Sequence, residues 1–521
     1  MRTSLLVLAL LAGCRDEFHL PPGGDAGNAA PLAQAGTGSS YRVLSTVTVD
    51  GRDSFDPDGS IVAFHWTLLS APVGSTAALA GPDTSVASFV PDKVGAYALR
   101  LQVSDDAGAV DTSDLTVMVV GPVLVVNAGA DLTVPWLSRA QLSGTMTVEA
   151  PFTATYQWTL VGGPAGSAAV LTNTSTLTPS FLADVDGTYT VALTATSQFQ
   201  TLTDEVTVVA QAAPQALGQV QQAEYSRALD RLVVISYDST NLKLHDPSTG
   251  TDTLVDLTQL NPTSLSLQPS GLRAAIGIFA PGTSSLAIVN LQSGVLEQLI
   301  ATPDLDSQVA FALANRVYFG DVFGQLVSMD VATTSTIVSS GFPGNHYPKI
   351  DPSGTFLYWL PAFGGSTVER VDITTSPFTV QHEVEADMSV DLQAPVYFTA
   401  DDTSIVTSQG VFLHASVNPA IDMTVRGTLG TRPDAFAHSL TTHEFALLTG
   451  EVDGMGLFAG TRLSLINDTT LGTRFTARIP HVNGQLVHPK WIGYRADGRT
   501  LLIIAGPLFS TNDALFVVTP P

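Results

Sequence analysis

The chain reads as all-β: two small antiparallel sandwiches followed by a β-propeller. Three observations predict this. Short segments alternate apolar and polar residues at every second position, as in Tyr97-Ala98-Leu99-Arg100-Leu101-Gln102-Val103, which is the period of a half-buried strand. A block of 92 residues occurs twice in tandem within the first 211 positions. Beyond residue 214 the pattern changes to a repeat of roughly 45 residues, the length of one four-stranded propeller blade. The 521 residues thus resolve into three folded parts, near the count expected at about 100–200 residues per domain.

Composition sets the outer limits. With 45% hydrophobic and 13% charged residues, most of the chain can bury a core, which excludes disorder. Acidic residues outnumber basic ones 47 to 22, a formal charge of -25. Binding to a phosphate backbone rests on clusters of Lys and Arg. The only lysines are Lys93, Lys243, Lys349 and Lys490, so nucleic acid is excluded as a partner. The single cysteine, Cys14, rules out an intramolecular disulfide and any Cys-rich metal site.

Residues 1–13 have the layout of an export signal: Arg2, an apolar run over 5–11, then Leu11-Ala12-Gly13-Cys14. The run is too short to span a bilayer. Leu-Ala-Gly-Cys resembles the bacterial lipobox, which implies cleavage before Cys14 and lipid on its sulfur and amine. An ordinary signal peptide with an incidental cysteine is the bland alternative. Acyl chains supply about 0.8 kcal/mol per buried CH₂, so several together anchor stably. Cleavage removes only Arg2, leaving 21 basic residues against 47 acidic ones, a charge of -26. The resemblance also carries a sorting rule, in which Asp after the lipidated Cys retains the protein at the inner membrane. Arg15 stands there, which points to the outer membrane, on its periplasmic or its surface-exposed face. Residues 14–32, with Pro21-Pro22-Gly23-Gly24 and Ala26-Gly27-Asn28-Ala29-Ala30, read as a flexible tether.

The duplication follows, over 33–120 and 121–211. Trp66-Thr67-Leu68 and Pro72-Val73-Gly74-Ser75 recur as Trp158-Thr159-Leu160 and Pro164-Ala165-Gly166-Ser167. Ser88-Phe89 maps to Ser180-Phe181, and Gly95-x-Tyr97 to Gly187-x-Tyr189, without a gap. Trp66, Trp158, Tyr97 and Tyr189 read as core residues. Copy one also carries Asp53-Ser54-Phe55-Asp56-Pro57-Asp58-Gly59 and Val103-Ser104-Asp105-Asp106-Ala107-Gly108. With the Trp and the Gly-x-Tyr, this resembles the PKD domain, an immunoglobulin-like sandwich common in bacterial surface proteins. Copy two has Glu149-Ala150-Pro151-Phe152 in place of the Asp-Pro-Asp-Gly turn, so it is a degenerate copy that joins the family through the duplication. Asp56 and Asp58 lie in one turn of copy one, Asp105 and Asp106 in another that a sandwich can bring near. Oxygen-rich loops suit Ca²⁺, and some PKD-like domains bind it. The four aspartates are therefore the candidate metal ligands, against a plainer reading as self-bonded turns with Gly59 at positive φ.

Residues 214–521 repeat an apolar run closed by Asp or Asn, at 242–246, 286–290, 326–330, 368–372, 413–418 and 463–467. Successive closing residues lie 44, 40, 42, 46 and 49 apart, and a seventh run ends at Thr519, 52 further on. Earlier in most units a turn precedes a hydrophobic strand: Gln268-Pro269-Ser270-Gly271, Asp351-Pro352-Ser353-Gly354, Ala400-Asp401-Asp402 and Arg495-Ala496-Asp497-Gly498. These turns resemble those of WD40-like, TolB-like and YVTN-type bacterial propellers. Seven blades fit best, with six or eight as alternatives. The seventh unit lacks an outer strand, which residues 215–222 can supply, closing the ring without a free edge.

Catalytic signatures are absent. There is no Gly-x-Ser-x-Gly, no Walker-type Gly-Lys-Ser/Thr, and His382-Glu383 and His443-Glu444 lack the second His of a zincin motif. Eight of ten histidines fall in the propeller, including His438, His481 and His488, at spacings that match no motif. The expectation is a non-enzymatic envelope lipoprotein, its PKD pair a stalk that presents the propeller to a protein or glycan. The alternative is a propeller-type hydrolase or lyase, which requires perturbed carboxylates or histidines converging at one end of the channel.

Overall fold

A computed structural model describes residues 27–521, apart from 259, 280–282, 303–304, 306–307, 340–345, 362–366, 376–378, 386–391, 393–394, 454, 484, 509–511 and 521. The expected signal segment, Cys14 and residues 14–26 of the expected tether lie outside the described residues. The described residues form strands, and no helix among them is long and apolar enough to cross a membrane. Two compact units divide the chain. One holds residues 1–127, 145–157 and 194–204; the other holds 128–144, 158–193 and 205–521.

In copy one the four-stranded sheet runs Ser40–Arg42, Val110–Val120, Gly95–Asp105, Ile61–Ser70, faced by the pair Val47–Asp50 and Val86–Phe89. Alternation sends Tyr97, Leu99, Leu101 and Val103 inward, where they meet Trp66, Val49 and Phe89. Copy two repeats the order with Leu132–Pro135, Thr201–Gln211, Gly187–Ser197 and Ala154–Gly162. Trp66 and Trp158 are both buried, and neither indole N–H has a hydrogen-bond partner. They act as apolar bulk.

The duplication also preserves a polar network. Ser75 Oγ donates to Asp92, the Thr76 amide donates to the same carboxylate at 2.8 Å, and the Tyr97 hydroxyl donates to the Lys93 carbonyl at 3.0 Å. At the same offset Ser167 Oγ and the Ala168 amide donate to Asp184, each at 2.6 Å, and Tyr189 donates to the Val185 carbonyl at 2.8 Å. Gly95 and Gly187 hold φ of 135° and 127°, and a Cβ at either would strike Pro72 or Pro164 within 2.9 Å. The Pro and Gly-x-Tyr markers of the sequence are two sides of one contact.

The described residues of 215–521 form seven four-stranded antiparallel sheets. The closing runs read from the sequence mark their third strands, among them Ser285–Asn290 and Leu326–Asp330, but that of the fifth sheet, Val411–His414, ends before Asn418. The Asp/Ser-Gly turns join first strands to second strands. Second strands such as Arg231–Ser236 and Leu501–Gly506 are buried on both faces because neighbouring sheets cover them, hence their unbroken apolar runs. Outer strands such as Val295–Ala301 alternate. The seventh sheet takes its outer strand from the start of this region: Gln215 pairs with Leu515 and Ala216 with Ala514. The expected segment 215–222 is thus divided, since Val220–Ser226 is already the innermost strand of the first sheet.

Candidate functional site

The structure brings the two acidic turns of copy one together, with their oxygens used locally. Asp56 accepts the Asp58 amide at 3.3 Å, and Asp58 accepts the Ala29 amide at 3.0 Å. Asp106 accepts the Ser60 amide at 3.3 Å, and Asp105 accepts the Ala107 and Ala109 amides and the Asn28 side chain. The Asn28 bond, with those amides, holds the Asp105 carboxyl below its ordinary range. A Cβ on Gly59 would lie 2.6 Å from both Asp56 Oδ2 and Asp106 Oδ1, so the turns interlock through that glycine. Calcium needs about six to eight oxygen ligands. Here Asp56 Oδ2 is the one buried carboxylate oxygen of the four residues without a partner, and among the described residues no three His, Cys, Asp or Glu converge to hold a metal. A calcium ion there would have to draw these oxygens away from the amides they now accept.

The corresponding segment of copy two does something else. Glu149 pairs with Arg42 at 3.3 Å and accepts the Val123 amide at 3.0 Å. Phe152 meets Phe199 edge-on, ring centres 5.6 Å apart, and both pack against the core of copy one. The departure from Asp-Pro-Asp-Gly is therefore a joint between the sandwiches. Elsewhere in copy two, Trp136 donates its indole N–H to the Asp184 carbonyl at 3.2 Å and meets Phe516 of the seventh propeller sheet, centres 6.0 Å apart. These two attachments explain why the compact units divide copy two between them.

A cavity of about 690 Å³ is lined by the innermost strands of all seven sheets. Innermost strands touch in chain order, Val220–Ser226 against Ser264–Leu267, and that strand against Ala310–Phe311. Side chains stitch them. Gln222 donates to the Leu265 carbonyl at 2.8 Å and accepts its amide at 2.9 Å, and Ser266 Oγ accepts the Phe311 amide at 3.0 Å. Pro269, Pro352, Ala400, Thr441 and Gly498, from the first-to-second-strand turns, rim the mouth. Turns between second and third strands, with exposed Tyr237 and Phe323, therefore lie at the opposite end.

Two charged side chains reach the cavity from innermost strands, Glu224 on the first sheet and Lys349 on the fourth. Glu224 accepts the Leu267 amide at 2.8 Å. It keeps a strip of surface open to the channel, yet protein surrounds it on every side. That burial pushes its carboxyl up, with the Lys349 charge opposing. At the rim, burial together with the charges of Asp351 and Asp401 pushes Asp402 up to about 6. His438 is locked: its Nδ1 accepts the Ala400 amide at 3.0 Å, so Nε2 carries the proton shared with Asp468 at 3.2 Å. The sequence marked the rim turns and named Lys349 only as a rare lysine. Glu224 lay in a segment, Gln221-Gln222-Ala223-Glu224, whose polarity is the signal of an innermost strand facing a channel.

The joint and the shared networks make the two sandwiches variants of one domain, and comparison with known families agrees. Both copies match the PKD domain family of the KIAA0319-like type. The matches cover 38–119 and 128–210, so copy two qualifies in its own right and not only through duplication. The human dyslexia-associated protein KIAA0319 is 29% identical over 174 residues, 32% of this chain and 16% of that protein. Its mouse homolog is 37% identical over 93 residues, 18% of this chain and 8% of that protein. The chain thus spans less than a fifth of either relative. Among solved structures, the Myceliophteria thermophila Cps50 (Swd1) β-propeller domain covers 59% of this chain and 98% of its own, at 14% identity and a TM-score of 0.45.

Proposed function

We propose that this protein is a non-enzymatic envelope lipoprotein, anchored through lipid on Cys14, whose PKD pair carries a propeller that binds a protein or glycan. In this reading the seven sheets form one ring of seven blades, closed by the strand Gln215–Gly218. Support for closure comes from both ends of the seam. Asp513, fully buried, accepts Lys490 at 2.6 Å and the Val220 amide at 2.7 Å, while Arg495 pairs with Asp230. Leu217, Val220, Leu502 and Leu515 pack between them. Outer-membrane placement follows from Arg15, and the lipobox carries the anchor.

The observation that carries the binding reading is the cavity itself: lined by all seven innermost strands, it holds Glu224 and Lys349 but, among the described residues, no paired nucleophile and base. A hydrolase or lyase has one point in its favour, the two raised carboxyls of Glu224 and Asp402. They do not work on each other. The charged neighbour of Glu224 is Lys349, and those of Asp402 are Asp351 and Asp401. Crosslinking on intact cells, with identification of the captured partner, tests the binding reading, and Glu224→Gln would silence an enzyme while leaving fold and anchoring intact. Metabolic lipid labelling tests the anchor: Cys14→Ala is expected to lose label and leave the membrane, and a variant that stays membrane-bound contradicts it.

A further inference from the structure

We propose that the propeller channel binds a small zwitterion, a free amino acid or short peptide, with its ammonium on Glu224 and its carboxylate on Lys349. The inference rests on reading the ring as a binding module and names the ligand chemistry of that same cavity. At about 690 Å³ the space is within the usual range for small-molecule sites. Its wall mixes apolar Val309, Phe311, Val396 and Phe398 with polar and charged groups, Arg227 and Asp351 at the mouth among them. Against that wall the unlike charges come from sheets three apart in the order, the first and the fourth.

Each charge feels the other across the cavity, yet neither has its hydrogen-bonding capacity filled by the protein. A carboxylate offers roughly four lone-pair sites and an ammonium three N–H donors. Among the described residues the Glu224 carboxylate receives the Leu267 amide alone, and the Lys349 ammonium has no hydrogen-bond partner. His438, the histidine of the described wall, has both ring nitrogens engaged. A ligand carrying one charge would pair with one of the two groups and be repelled by the other. A ligand carrying both charges can complete both groups and enters the cavity without net charge. The raised carboxyl of Glu224 fits the same picture, since an ammonium partner supplies the stabilisation that burial removes.

Isothermal titration on the full chain separates the contributions. The probes are L-alanyl-L-alanine, its N-acetyl form and its C-terminal amide. The free dipeptide is expected to bind, and capping either end to weaken binding by at least about tenfold. Glu224→Gln should remove discrimination against the acetylated probe, and Lys349→Met discrimination against the amide. Exchanging the charges, Glu224→Lys with Lys349→Glu, keeps the pair and should restore binding with the ligand reversed. Equal binding of free and capped probes overturns the proposal, as does no binding of the free dipeptide up to roughly 10 mM. The wild-type comparison needs no variant to fold. Cellular crosslinking from the channel mouth that succeeds while the dipeptide fails would sink the zwitterion and leave the recognition reading standing; dipeptide binding with no captured partner would do the reverse.

Discussion

The two PKD copies have the same interior and opposite uses for one turn. In copy one, Asp56-Pro57-Asp58-Gly59 folds on itself and on Asp106, its carboxylates satisfied by local amides. In copy two, Glu149-Ala150-Pro151-Phe152 reaches copy one through the Arg42 ion pair and through Phe152, which with Phe199 packs on the copy-one core. The core and the Ser-Asp-Tyr network were retained, since each position there is held by several neighbours at once. The turn could change because its bonds reach only the neighbouring acidic turn and the Ala29 amide, outside the core. Duplication thus supplied a domain and, at its one unconstrained loop, the joint that attaches it.

Substitutions should grade the comparison. The largest effect is expected in the shared interior, where Trp66→Ala and Trp158→Ala each destabilise by about 3–5 kcal/mol in denaturant unfolding. Unequal losses would show that the copies pack differently inside. Next is the joint: Phe152→Ala should lose about 1–2 kcal/mol, while Phe55→Ala, half-exposed in the turn of copy one, stays within about 0.5 kcal/mol. Gly59→Ala should lose about 1 kcal/mol, because the added Cβ must push aside two carboxylates that can shift.

Acid should also separate the copies. Asp105 and Asp114 of copy one have carboxyls held below the ordinary range by Asn28 and Arg100 respectively. A folded pKa below the unfolded one gives stability that is present above about pH 4 and lost as pH falls through the lower folded value. Copy one is therefore expected to lose protection first, read by hydrogen exchange between about pH 4 and pH 2. Simultaneous loss in both copies would contradict this. The smallest effect is calcium, whose addition should leave the unfolding of copy one unchanged; a rise in its melting temperature would mean that the aspartate turns rearrange into a site.

Much of this was legible in the sequence because repetition exposes what is constrained. The 92-residue offset located both sandwich cores, and the closing Asp and Asn residues located the third strands of the propeller sheets. Those signals are local: period, turn chemistry and spacing. Asp92 and Asp184 were invisible, being single carboxylates whose partners lie 16 and 17 residues away. Glu224 and Lys349 were invisible for a stronger reason. They are 125 positions apart and meet only because the sheets surround one cavity. The acidic turns were legible as sequence, but which amides their oxygens accept was not, because those partners are set by the fold.

The central claim is that the channel mouth is the recognition face. A photoreactive residue placed at Arg227, on the mouth, and separately at Phe323, on a turn at the opposite end, tests it on intact cells. The expected result is one defined partner captured from position 227 and none from 323. Capture from 323 alone, or from neither position, would contradict the account.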